Sequence, residues 1–154
     1  MDRSNALAKV PDQRRQDDDD YQLEEQIGFR LRLALQRHYS LFSDDMLEGL
    51  TAPQYASMYK LFEVGACSQN QLGRLVNIDV ATINGIVRRL KEKGFLTSRG
   101  DPNDKRRHQI ELSARGKKIL QRALPVAKQI SVKTLKPLSN GERETLLRLL
   151  KKIA

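Results

Sequence analysis

The chain has no tryptophan, one cysteine and two histidines among its 154 residues. A single thiol excludes an intrachain disulfide framework. His38, His108 and Cys67 sit in separate segments, too few and too scattered for a zinc centre. No apolar run approaches the roughly 20 residues of a membrane helix. The opening stretch MDRSNALAKVPDQRRQDDDDYQ lacks the apolar core of a secretory signal. These absences lead us to expect a cytoplasmic protein with no membrane association. There is also no glycine-rich phosphate loop, no Ser-His or Cys-His spacing and no evident carboxylate pair, so neither an enzyme nor a cofactor is expected.

What is present is charge, unevenly placed. The net charge is +9 and the pI about 9.9. Residues 1–64 hold 8 Lys/Arg against 12 Asp/Glu, a net −4. Residues 65–122 hold 13 against 5, a net +8, and residues 123–154 hold 7 against 2, a net +5. A basic middle behind an acidic front suits a polyanionic partner met by one region. Charge kept for solubility would give a similar total. Length fits one domain, or one domain with dimerisation elements, and a 39% hydrophobic content suffices for a core.

Residues 1–19, ending in DDDD, read as a disordered, self-repelling tail. From Tyr21 to about Phe42, Leu23, Ile27, Leu31, Ala34, Leu35, His38 and Phe42 form one helical stripe. SDDMLEGL is a turn. Thr51 with Gln54 has capping-box spacing and opens a second helix, whose apolar face is Tyr55, Met58, Tyr59 and Phe62 and whose end is Gly65. Ser68 and Gln71 open a third, with Cys67 and Leu72 as a hydrophobic staple and Leu72, Leu75 and Val76 facing inward. Asp79 caps a fourth running to about Lys93, stopped by Gly94. FLTSR and HQIEL are hairpin strands. A long helix spans about Ser113 to Lys133 with a bend expected at Pro125. Ser139 and Glu142 open the last helix, which carries more leucine than a water-facing terminal helix needs.

Two short helices joined by a tight turn and followed by a basic hairpin describe a winged helix-turn-helix. The fold class is therefore mainly α with a small β-wing, plus a helical dimerisation region. On the fourth helix, Ile83, Ile86, Val87 and Leu90 share a narrow arc, and Ala81, Asn84, Gly85, Arg88 and Glu92 lie opposite. Small residues let a helix approach base edges; Asn84 suits adenine and Arg88 guanine. Thr82, Arg89, Lys91 and, on the third helix, Gln69 and Asn70 are phosphate candidates. A merely solvated helix face would carry the same residue types. On the hairpin, Arg99 is a further phosphate candidate, and Lys105, Arg106 and Arg107 form a cationic tip suited to a narrow minor groove. Asp104 can hold one of these arginines in a fixed pose.

The stretch SQNQLGRLVNIDVATINGIVRRLKEKGFLTSRGDPNDKRRHQIELSARG resembles the winged-helix region of MarR-family transcriptional regulators, and the likeness extends over about residues 21–153. The family wing is of the Asp-Pro-x-Asp-Arg-Arg type. Here it reads Asp101-Pro102-Asn103-Asp104-Lys105-Arg106, so Lys105 removes one planar donor. The resemblance implies a homodimer built from about residues 20–42 and 113–153, flanking a winged helix-turn-helix at about 51–112. Such a dimer would read double-stranded DNA as a pseudo-palindromic operator, with reading helices about 34 Å apart. It also implies a pocket for a small aromatic carboxylate effector. The segment QRHYSLF is similar to a branch that controls breakdown of aromatic or nicotinate-type acids. His38, Tyr39, Arg37, Tyr55 and Tyr59 are the candidate ligand residues, though core packing would explain His38 and the tyrosines too. Two other readings stand beside this one: a redox response through Cys67, next to a helix N-terminus, and a sequence-independent architectural DNA binder. An enzyme or metabolite-binding module carrying an incidental winged helix is a third.

Overall fold

The structure is a computed structural model, and it describes residues 21–100 and 108–154. The expected tail at 1–19 and the wing-tip residues Asp104, Lys105, Arg106 and Arg107 lie outside the described residues. Six α-helices and one two-stranded sheet make up the described chain: α1 (Ile27–Asp45), α2 (Ala52–Val64), α3 (Gln69–Leu75), α4 (Val80–Glu92), β1 (Leu96–Gly100), β2 (His108–Leu112), α5 (Ala114–Thr134) and α6 (Asn140–Ile153).

The first helix begins later than its stripe suggests. Leu23–Glu25 form a single 3-10 turn, Gln22 provides no side-chain cap, and Gln26 is extended with ψ 131°. The extended backbone at Gln26 keeps the two segments apart. At the other end α1 runs on to Asp45. Its stripe is buried only near this end: Phe42 is buried and His38 half-buried, while Leu35 is 49% exposed.

The remaining helices start where local chemistry says they should. The Thr51 hydroxyl accepts the Gln54 backbone N–H at 3.4 Å, and the Gln54 side-chain Oε1 accepts the Thr51 N–H at 3.1 Å. Ser68, Asp79, Ser113 and Ser139 each accept an N–H three residues on. Each cap satisfies an amide that the helix itself leaves unpaired. Gly65 and Gly94 end their helices with φ of +77° and +73°, a region that penalises any side chain with a Cβ.

Two inward faces differ from expectation. On α2 the buried positions are Gln54, Ser57, Met58 and Leu61, and Phe62 is 53% exposed. Ser57 can be buried because its hydroxyl donates to the Pro53 carbonyl at 2.8 Å. That places the aromatic edge Tyr55–Tyr59–Phe62 along the border of the face, and the edge runs outward at Phe62. On α3, Leu72 is fully buried but Leu75 is exposed, because α3 is only seven residues long and its one packed face is taken by Leu72 and Gly73.

Gly73 is where α3 meets α4. A Cβ there would lie 2.9 Å from the Ile78 carbonyl and 3.3 Å from Ile83 Cγ2. Asn77, with φ +53°, turns the chain between the two helices; asparagine tolerates that region better than most residues. In the wing, Leu96 pairs with Leu112 and Ser98 with Ile110, which puts Leu96, Ile110 and Leu112 on the core side. Cys67 joins the sheet edge by an antiparallel bridge to Ile110, with N···O distances of 3.1 and 2.8 Å. α5 passes through Pro125 without interruption.

Phe42, Met58, Leu61, Leu72, Ile83, Leu90, Phe95, Ile110, Leu120 and Ile130 are among the residues of a single core cluster. Phe95, expected as a strand residue, lies between α4 and β1 in sequence and is fully buried. α6 buries none of its residues within the chain, and Leu146, Leu147, Leu149 and Ile153 are exposed.

Candidate nucleic-acid interface

Among the described helices α4 has the sharpest division into two faces. Ile83, Ile86, Val87 and Leu90 are all buried, a spacing of three and four residues that turns one side into the core. Ala81, Thr82, Asn84, Arg88 and Arg89 are exposed, while Gly85 and Lys91 are half-buried. A Cβ on Gly85 would meet nothing within 4 Å, so glycine there is not required by packing. It leaves the outer face low enough for another molecule's backbone or bases to come close.

Asp79 sets the start of this helix. Its carboxylate accepts the Thr82 N–H at 2.9 Å. The Thr82 hydroxyl, then the Thr82 N–H, hold the Asp79 carboxyl below its ordinary value of 3.8. A lowered folded-state value means the cap stabilises above the unfolded pKa, and that contribution is lost as pH falls through the folded value. We therefore expect Asp79→Ala to melt below the wild type at pH 7, with the gap closing as pH drops under about 3.8; a gap independent of pH would contradict the cap.

The other expected contacts divide. Asn70 is exposed and Gln69 half-buried at the start of α3. Arg88 lies 3.9 Å from Glu92, and Arg99 lies 3.6 Å from Glu111. Three of these four side chains are well exposed and Glu111 is half-buried, so these pairs are weak and readily exchanged for a stronger anion. Arg74, which the sequence reading passed over, is also exposed, in the last turn of α3. Its signal was an arginine one turn before the helix-turn-helix turn, which a search for the reading helix alone does not weigh.

A cavity of about 430 Å³ opens between the end of α1 and the segment leading into α2. That volume falls in the range of small-molecule sites, roughly 300–1,000 Å³. Tyr39, Phe42, Ser43, Leu50, Thr51 and Pro53 are among its lining residues. Of the five expected ligand residues, Tyr39 alone lines it. His38, Tyr55 and Tyr59 stand behind, in a chain of rings with centroid distances of 5.9 Å (His38–Phe42), 5.8 Å (Phe42–Tyr55) and 6.3 Å (Tyr55–Tyr59). Burial, and then the neighbouring Tyr59, push the Tyr55 hydroxyl pKa up, so it stays a neutral donor. Arg37 is exposed on α1 and does not line the cavity.

His38 is held from the far side. Its Nδ1 lies 2.9 Å from Thr134 Oγ1, and the Thr134 hydroxyl donates to the Ile130 carbonyl at 2.9 Å. With that hydroxyl proton committed, Thr134 accepts from His38, which assigns the proton to Nδ1. The cavity residues Ser43, Thr51 and Pro53 escaped sequence reasoning because they sit at the end of α1 and the start of α2, where no periodicity marks them.

Cys67 is buried, and burial pushes its thiol pKa up. This is the opposite of the lowered value that makes a thiol reactive, and it favours a packing role over a redox one. Its position is explained by the backbone bridge to Ile110 and by packing. Among the described residues no group of three or more His, Cys, Asp or Glu is placed to hold a metal, and no helix is long and apolar enough to cross a membrane.

Comparison with known proteins agrees with this geometry. Residues 50–108, which hold the second, third and fourth helices and the first residue of β2, match the MarR family model. The chain is 37% identical over 138 residues to the HTH-type transcriptional repressor NicR of Pseudomonas putida, covering 89% of this chain and 87% of that protein. Its fold is similar to that of a probable transcriptional regulator from Pseudomonas aeruginosa, with a TM-score of 0.84 and 44% identity over 86% of this chain and 100% of that one. It is similar also to Bordetella bronchiseptica BpsR, whose DNA binding is regulated by 6-hydroxynicotinic acid, with a TM-score of 0.81 and 34% identity over 86% and 96% of the two chains. A buried-and-bare reading helix, a β-wing and relatives of this kind carry one conclusion: the chain belongs to the MarR family of transcriptional regulators.

Proposed function

We propose that the protein is a cytoplasmic, homodimeric repressor that binds a pseudo-palindromic operator and releases it when a small aromatic carboxylate enters the cavity beside Tyr39. The observation that carries the first half is α4: a core face of Ile83, Ile86, Val87 and Leu90 under an outer face of Ala81, Asn84, Gly85 and Arg88. Asn84 and Arg88 read base edges, while Gln69, Asn70, Thr82, Arg89, Lys91 and Arg99 meet phosphates. Lys105, Arg106 and Arg107 enter the minor groove, with Asp104 orienting an arginine. A second protomer covers the exposed leucines of α6 and, as a separate element, those of α1.

The effector half is supported by the cavity and by the relatives' own properties. BpsR responds to 6-hydroxynicotinic acid, and PcaV of Streptomyces coelicolor, 28% identical with a TM-score of 0.79, was crystallised with its natural ligand. Tyr39 and Ser43 offer hydroxyls at the cavity and Phe42 a ring face. His38, Tyr55 and Tyr59 shape it through the ring chain, and Arg37 supplies positive charge on the same helix. Ligand would favour one spacing of the two reading helices over another.

A thermal-shift series tests this directly. 6-Hydroxynicotinate or a related aromatic carboxylate should raise the melting temperature by mass action, about 2.7 kcal/mol of added stability at 100-fold Kd. The same compound should release the protein from DNA, and Tyr39→Ala should weaken both effects together. A panel of aromatic carboxylates with no shift, or a shift without release, rejects the effector half.

A further inference from the structure

Two surface concavities meet on α3. One, of about 380 Å³, runs from Asn70 and Arg74 to Asn77, Asp79 and Val80 at the start of α4. The other, of about 450 Å³, runs from the same Asn70 and Arg74 to His108, the first residue of β2. Asn70 and Arg74 therefore stand between the start of the reading helix and the base of the wing. The phosphate backbone is the wall that separates a major groove from the minor groove next to it. A duplex with α4 in one and the wing in the other must pass a phosphate strand across the surface between them.

We propose that Arg74, with Asn70 and His108, forms a cradle for that phosphate strand; the proposal rests on the reading of α4 and the wing as the DNA-contacting elements. The donor set fits an anion. Arg74 offers a planar fork that takes two phosphate oxygens at once. Asn70 adds an amide and His108 a ring N–H. All three are exposed. Among the described residues Arg74 makes no ion pair, whereas Arg88 and Arg99 each have a carboxylate within 4 Å. The carboxylate lining these concavities belongs to Asp79, and it is already occupied by the Thr82 N–H. No base edge needs to be reached from this site, so the contact is indifferent to sequence.

The test uses full-length protein, a labelled random-sequence duplex, and a duplex enriched by the protein from a random pool, each titrated across a salt series. Arg74→Ala should weaken binding to both duplexes by the same factor, about five- to tenfold, and should flatten the plot of log affinity against log salt by about 0.9. Arg74→Lys should restore the slope, since a phosphate accepts a point charge. Because Arg74 is exposed, the melting temperature should not change. Wild-type affinity and slope in Arg74→Ala would remove the cradle, and so would a loss confined to the enriched duplex or a failure of lysine to restore the slope. A wild-type protein that bound neither duplex would instead remove the DNA reading itself, and the cradle with it.

Discussion

Gly116→Ala should cost the protein a large share of its stability margin. Gly116 is buried in the first turn of α5, and a Cβ there would lie 2.0 Å from the Phe95 carbonyl oxygen and 2.9 Å from its carbon. Those are backbone atoms, so no side-chain rotation relieves the clash. The Phe95 carbonyl also accepts the Ser113 N–H at 3.0 Å, and the Ser113 hydroxyl donates to the Gly94 carbonyl at 2.7 Å while accepting the Gly116 N–H at 2.9 Å. One methyl group would therefore push apart the junction that ties the reading helix, the wing and α5. Overpacking typically costs 1–3 kcal/mol, and a clash with fixed backbone belongs at or above about 3. In a chain of this size that lowers the melting temperature by about 10 °C. Gly85→Ala is the contrasting case: nothing lies within 4 Å of its Cβ, and alanine favours the helix by up to about 1 kcal/mol. It should melt no lower than wild type yet bind DNA less well. A Gly116→Ala protein that melted with wild type would show that the junction is looser than these distances imply.

The second large effect is on DNA affinity. Raising salt from 50 to 200 mM should reduce binding by about a thousandfold or more, the response of a protein that displaces counterions from at least six phosphates. The charge lies where this requires it, with a net +8 across residues 65–122. Arg88 and Arg99 begin in weak pairs with Glu92 and Glu111, and exchanging those partners for phosphate costs little. Gel-shift titration over that range checks the expectation. An affinity that barely moved with salt would mean that the basic surface is not the contact surface.

Much of this architecture was legible in the sequence because its punctuation is chemical and local. Thr51 with Gln54, Ser68, Asp79, Ser113 and Ser139 with Glu142 each name a helix start through a side chain and an amide three residues away. The α4 face was legible for a related reason: thirteen residues are enough for the 3.6-residue period to separate inside from outside. Short elements carry less. Seven-residue α3 gives barely two turns, so Leu75 could not be placed from spacing alone. Phe62 was misjudged because hydrophobicity ranked it above Ser57, whereas Ser57 satisfies its hydroxyl within its own helix and goes inside.

What depends on distant pieces of chain was not legible. Nothing in the order of residues 113–116 says that Phe95 passes within touching distance. The cavity at Tyr39, Ser43 and Thr51 is made by the end of α1 and the start of α2 meeting, and no periodic pattern records such a meeting. His38 was singled out as a residue that could face a carboxylate, but its ring is held at Nδ1 by Thr134, which lies 96 residues further along.

The central claim is that paired copies of α4 lie in successive major grooves. Selection of binding sites from a random duplex pool, with the full-length protein, tests it most directly. The account predicts enrichment of a pseudo-palindrome whose half-sites sit about one helical turn, roughly 34 Å, apart, and loss of that enrichment in Asn84→Ala with Arg88→Ala while the fold is retained. Enrichment of no sequence, or of a single half-site without its mate, would contradict it.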